Sequence, residues 1–224
     1  MIGGGENKDH FVRSRKIYNY VKHLNEQGRV IPILGICLGM QYIMMTESID
    51  GTNFSEFHMS WNENRNLNFM MDPKTTVAFQ HFSWEELKLM ATQEYAFNSH
   101  WYGFDPERAA EDFGVMQELV LTSKSQSVWG DYFLATIEGK HIPVLGYIYH
   151  LEKPGKNYDP IYMGHLDHSP TSITLIRKHM EPFVRLARKS SQKFESYAEE
   201  RMHIIENNKN KIMHNYVGIA YLFE

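Results

Sequence analysis

The most constraining stretch of this sequence is a short apolar run, Val30-Ile-Pro-Ile-Leu34. It passes directly into Gly35-Ile-Cys37-Leu-Gly39 and then into a helical stretch from Met40 to Met45. An unbroken apolar run of this length predicts a strand buried on both faces of a sheet. Glycines on either side of Cys37 predict a sharp strand-to-helix turn. A thiol on such a turn lies at a helix N-terminus, where free N–H groups and the helix dipole favour the thiolate. Cys37 is the one cysteine in 224 residues, so no intramolecular disulfide can form. Alone, the pattern suits an inert thiol in a glycine-punctuated turn as well as it suits a nucleophile.

A nucleophilic thiolate needs a base, and the base needs a group that orients it. His150 ends a second apolar run, His141 to Tyr149, and Glu152 follows two residues later. Residues i and i+2 of an extended segment point the same way, so Glu152 can accept a hydrogen bond from the imidazole and fix its tautomer. The chain has twelve histidines, and most of them read as ordinary polar surface; His150 stands out by position. The glycine turn Ile2-Gly-Gly-Gly5 can offer a free backbone N–H to an oxyanion, and the amide of Leu38 can offer a second.

Periodicity predicts helices over His10 to Glu26, Glu85 to Ala91, Asp105 to Phe113, Ser172 to Ser190 and Gln192 to Lys211. Strands are predicted at Thr75 to Phe79, Leu119 to Ser123, Tyr132 to Glu138, His141 to Tyr149 and Tyr216 to Phe223. Thr46 to Asp72 and Pro154 to Pro170 read as loops. The alternation gives an α/β class: a three-layer domain with a mostly parallel central sheet and flanking helices, spanning 1–224 as one domain. Sites in such sheets lie at the carboxyl ends of strands, where Cys37 and His150 both fall.

Composition excludes other readings. The net charge is −4, charged residues are 22% and no basic patch stands out, which argues against nucleic acid as a partner. No apolar run approaches the roughly 18 residues of a membrane span. The start, MIGGGENKDH, has neither the basic nor the apolar region of a signal peptide. The thirteen methionines and thirteen phenylalanines are scattered and read as core filling.

The segments IGGG (2–5), PILGICLGMQ (32–41) and PVLGYIYHLEK (143–153) together resemble the class I glutamine amidotransferase superfamily, which has a flavodoxin-like fold. Within it, the chain is similar to γ-glutamyl hydrolases. That likeness extends through Phe79-Gln-His-Phe82, Asn98-Ser-His100 and His168-Ser-Pro170 to a tail from Phe183 to Phe223. The resemblance implies a cysteine peptidase acting on γ-glutamyl bonds, notably in folylpoly-γ-glutamates, with no metal or organic cofactor. It implies Cys37 as nucleophile, His150 as base and Glu152 as orienting residue. The Gly4 and Leu38 amides would form the oxyanion hole, and His100 and Gln41 would contact substrate. It implies a lysosomal, vacuolar or extracellular setting and leaves a homodimer open. The sequon Asn53-Phe-Ser55 agrees with a secretory route.

Departures keep alternatives open. Leu151 and Tyr149 replace the family's Pro and Trp around the base. Gln41 stands where these hydrolases usually carry Glu, which admits a hydrolase of small γ-glutamyl amides. An inactive paralog is a third reading. The family begins its domain with strand, helix and strand before the glycine turn, whereas Met1 stands immediately before it here. The first quarter of the fold is therefore expected to be missing, and the chain alone to be poorly stable and weakly active.

Overall fold

The computed structural model describes residues 8–155, 163–213 and 218–222. Helix α1 (Lys8–Glu26) leads into strand β1 (Ile33–Ile36), helix α2 (Leu38–Glu47) and strands β2 (Glu56–Arg65) and β3 (Asn68–Phe69). Helix α3 (Trp84–Thr92), strand β4 (Ala96–Gly103) and helices α4 (Pro106–Glu111) and α5 (Phe113–Glu118) come next. Strands β5 (Leu119–Gln126), β6 (Tyr132–Gly139) and β7 (Val144–Tyr147) then lead to helices α6 (Pro170–His179), α7 (Glu181–Ala187) and α8 (Tyr197–Met202). Strands β8 (Lys209–Met213) and β9 (Gly218–Leu222) pair as an antiparallel hairpin.

The central sheet has the order β1-β7-β6-β5-β3. β1 and β7 run parallel, from Ile33 opposite Val144 to Ile36 opposite Tyr147. The other three pairs are antiparallel, so the sheet is mixed, and its parallel pairing is at the pair that carries Cys37 and leads to His150. Short connections join β5 to β6 and β6 to β7, and such connections serve only antiparallel neighbours.

Helices cover both faces. On one, a Cβ added to Gly146 of β7 would stand 3.1 Å from the Met40 side chain of α2. On the other, Tyr147 donates its hydroxyl to the carbonyl of His179 in α6 at 3.3 Å. α1 backs onto α2: the Phe11 and Tyr42 rings are 5.4 Å apart, and Tyr18 donates to Glu47 at 2.6 Å. The core holds Met40, Met44, Met90, Phe79, Phe82, Phe97, Phe104 and Phe133, all fully buried, so these methionines and phenylalanines do fill the interior. Each such side chain contributes about 1.5–3 kcal/mol by leaving water.

A ribbon lies outside this three-layer body, and a groove opens at the edge of its sheet. β2 and β4 form a separate antiparallel ribbon. β1 is an edge of the sheet among the described residues, and a groove of about 420 Å³ runs beside it, lined by Ile17, Tyr18 and Val21 of α1 and by Ile33, Leu34 and Ile36. No helix among the described residues is long and apolar enough to cross a membrane.

Several expected elements differ. The stretch expected to be loop from Thr46 to Asp72 contains β2 and β3. Thr75 to Phe79 is no strand: Asp72 caps a short 3-10 turn over Pro73–Thr75, and the turn buries Ala78 and Phe79 instead. The helix expected from Ser172 to Ser190 is two helices that meet at Met180, because Pro182 has no N–H to continue the α6 ladder. The charged helix expected from Gln192 to Lys211 shrinks to α8, since none of its residues is buried and it has no apolar stripe to pack.

Candidate active site

Cys37 caps the N-terminus of α2 with φ 52 and ψ −111. A residue with a Cβ occupies this region only under strain, at a cost of about 1–3 kcal/mol. Its backbone is held on both sides. The Cys37 N–H donates to the Tyr147 carbonyl at 2.7 Å, extending the parallel ladder by one bond, and its carbonyl accepts from the Gln41 N–H at 3.1 Å. Gly35 makes the tight turn feasible: a Cβ there would stand 2.7 Å from both Ile43 Cδ1 and the Met40 nitrogen. Gly39, by contrast, would meet nothing within 4 Å. The thiol is partly exposed. The N–H of Leu38, first residue of α2, has no acceptor within the helix and is free for an oxyanion. Gly4, the other expected donor, lies outside the described residues.

His150 follows β7 and is 3% exposed. Its backbone N–H donates to the Phe97 carbonyl at 2.8 Å, fastening His150 to the β2–β4 ribbon. Its Nδ1 pairs with Glu152 Oε1 at 2.7 Å, and the carboxylate acceptor fixes the tautomer with the proton on Nδ1. Nε2 is buried, and the Cys37 sulfur is the partner left to it. Burial opposes the charged imidazole, but hydrogen bonding and charge from Cys37 and Glu152 outweigh it and push the group up to about 9. For Glu152, burial also opposes the charge, and the bond to His150 and its charge prevail, holding the carboxyl below its usual range. The Glu152 side chain is 35% exposed, so this effect is tempered by solvent.

His100 lies in β4 at 4% exposure, with Nε2 at 3.3 Å from Asn98 Oδ1 and Nδ1 unpartnered. Burial, followed by the charge of His150, lowers it to about 3, so it is neutral at physiological pH. Gln41 is buried one turn into α2 and donates its side-chain N–H to the Tyr102 carbonyl at 2.6 Å. One of its expected substrate contacts is therefore committed to the ribbon.

The structure thus brings Cys37, Leu38, Gln41, His100, His150 and Glu152 to one end of the β1–β7 pair. The sequence reading did not single out Phe97 and Tyr102, whose backbone carbonyls accept from the His150 N–H and the Gln41 side chain. Among the described residues no group of three or more His, Cys, Asp and Glu is placed to hold a metal ion.

The sequence model for class-I glutamine amidotransferases matches residues 2–213. The chain belongs to that family. It is similar to gamma-glutamyl hydrolase 2 of Arabidopsis thaliana, 26% identical over 99% of this chain and 63% of that protein. Gamma-glutamyl hydrolase B of Dictyostelium discoideum is 25% identical over 80% of this chain and 50% of its own length. The gamma-glutamyl hydrolase of Homo sapiens is 27% identical over 84% of this chain and 58% of its own. The chain therefore spans about half to two-thirds of the length of these relatives.

Proposed function

We propose that this chain hydrolyses γ-glutamyl bonds through a thioester on Cys37. The observation that carries the proposal is the His150–Glu152 pair at 2.7 Å, which leaves the buried Nε2 to the Cys37 sulfur. In the first step the thiolate attacks the γ-carbonyl carbon, and the Leu38 N–H holds the oxyanion, with Gly4 as second donor. The proton on His150 Nε2 passes to the departing amine as the C–N bond breaks, leaving a γ-glutamyl thioester. Nε2 then takes a proton from water, the water oxygen attacks the thioester, and the free γ-carboxylate leaves as the Cys37 thiolate returns. Glu152 keeps the ring oriented throughout, and neutral His100 faces substrate without adding charge.

The names of the similar proteins support the γ-glutamyl bond as the bond cleaved, and poly-γ-glutamates, such as folylpoly-γ-glutamate, are the substrates this proposal assigns to it. Gln41 favours a second reading, a hydrolase of small γ-glutamyl amides. A lysosomal, vacuolar or extracellular setting and a homodimeric state are parts of the same proposal. The test is to incubate the protein and its Cys37→Ala variant with a poly-γ-glutamylated pteroyl compound and with a γ-glutamyl amide, and to separate the products by chromatography. Cysteine-dependent release of glutamate from the first is expected. Release from the amide alone selects the second reading. Release from neither by a folded protein overturns both.

A further inference from the structure

The β2–β4 ribbon is separate from the central sheet, yet it supplies three parts of the site. The Phe97 carbonyl accepts from the His150 N–H at 2.8 Å, the Tyr102 carbonyl accepts from Gln41 at 2.6 Å, and β4 carries His100. What holds the ribbon in place therefore bears on the chemistry. Just beyond β4, the Leu134 N–H of β6 donates to the Phe104 carbonyl at 2.9 Å. On the β2 side, His58 Nδ1 pairs with Asp131 Oδ2 at 2.6 Å. Asp131 stands directly before β6, and the β5–β6 turn fixes it. Its carboxylate accepts from the Ser127 hydroxyl, and its carbonyl accepts from the Ser127 N–H at 2.9 Å.

His100 takes its support from the same place. A Cβ added to Gly103 would stand 3.2 Å from the His58 Cβ and 3.3 Å from the Phe133 Cβ, so β2, β4 and β6 meet there. The Phe133 ring in turn meets the His100 ring edge-on at 4.8 Å. Packing alone does not account for a histidine at position 58. Its side chain is 9% exposed, and among the described residues its Nε2 is buried without a hydrogen bond, with the Glu56 carboxylate standing off at 3.7 Å. A buried polar atom without a partner lowers stability, and an apolar side chain would avoid that. What the histidine supplies is the charge-assisted bond to Asp131.

We propose that His58 is a positioning residue for the reaction: its bond to Asp131 latches the β2–β4 ribbon to the start of β6, and so sets the places of His100 and of the Phe97 and Tyr102 carbonyls at the site. This rests on the γ-glutamyl reading above and deepens it.

The test reads stability, local opening and turnover in His58→Leu, His58→Asn and Asp131→Ala. Leucine removes the bond together with the unpartnered Nε2, so the denaturant midpoint should stay near that of the unmodified protein. Amide exchange of His150 and of β4 should quicken roughly tenfold or more while β7 amides keep their rates, and kcat/KM on γ-glutamylglutamate should fall by about the same factor, as for one lost charge-assisted bond. In His58→Asn the new amide N–H lies close to the place of Nδ1–H and can donate to Asp131, so exchange and kcat/KM should both stay within about threefold. Asp131 is partly exposed, so Asp131→Ala tests the bond without disturbing the interior. It should reproduce both losses, and combining it with His58→Leu should add nothing, since the two side chains form one bond. Exchange that quickens equally in ribbon and sheet, or additive losses in the double variant, marks a merely structural role and overturns the proposal. So does an unmoved ribbon, or a loosened ribbon with kcat/KM intact. An unmodified protein that cleaves no γ-glutamyl bond ends the hydrolase reading instead, and the latch then stands if the ribbon amides alone quicken and falls if they do not.

Discussion

Gln41 donates its side-chain N–H to the Tyr102 carbonyl at 2.6 Å, and that bond joins α2, the helix that Cys37 caps, to the ribbon that carries His100. Gln41 is 7% exposed, so a carboxylate in its place would face the carbonyl oxygen with little water to screen it. Gln41→Glu should therefore cost about 1–3 kcal/mol at pH 8. Protonated, the same side chain can donate to Tyr102 again. The folded-state pKa of the new Glu then lies above its unfolded value, so the stability it contributes is present at acidic pH and lost as pH rises. Denaturant melts at pH 5 and pH 8 should show a smaller deficit at pH 5; equal deficits would mean that the donated bond is not what Gln41 supplies.

His150 should titrate near 9 by NMR, well above a free imidazole. Removing the sulfur with Cys37→Ala removes the largest of the causes that raise it, and the midpoint should drop. The sign for stability follows from the raised value. The contribution of His150 is complete below about 6.5, the unfolded value, and is lost as pH rises through about 9. The melting temperature of the unmodified protein should therefore fall between pH 7 and 9.5, and a His150→Gln variant should show a flatter profile.

Glu152→Gln keeps the shape of the orienting residue and removes its charge. The ring loses the partner that fixes its tautomer, and kcat should fall roughly 100-fold with a smaller change in KM. A loss carried in KM alone would place Glu152 in substrate binding instead.

Cys37 at φ 52 predicts an inverted order of substitutions. Glycine ordinarily destabilises a structured position relative to alanine. Here glycine relieves strain that alanine keeps, so Cys37→Gly should be more stable than Cys37→Ala by about 1 kcal/mol, after the entropy of the more flexible unfolded chain is counted. Melts of the two inactive variants decide it.

How much of this was legible in the sequence depends on how local each feature is. Cys37, His150 and Glu152 are specified by short contiguous stretches, and those stretches form the elements they suggest. The motifs around Phe79 and His168 were legible too, but their work is scaffolding. Phe79 and Phe82 pack around His179, and His168 braces the Pro154 carbonyl just before Ser169 caps α6. β2 was not legible. It belongs to a ribbon off the main sheet, its register slips between Phe57 and Ser60 and again between Trp61 and Glu63, and each slip breaks the two-residue alternation that marks a strand.

The flank of β1 that has no neighbour among the described residues bears on how the protein fails. Cys37, the most strained residue of the site, hangs from a four-residue strand with a hydrogen-bonded neighbour on one side among the described residues. Local opening of that strand frees the thiol while leaving the aromatic interior around His179 intact. Inactivation should consequently precede denaturation. In a urea series, catalytic competence and the resistance of Cys37 to slow alkylation should both be gone at concentrations where the circular dichroism of the domain is still native.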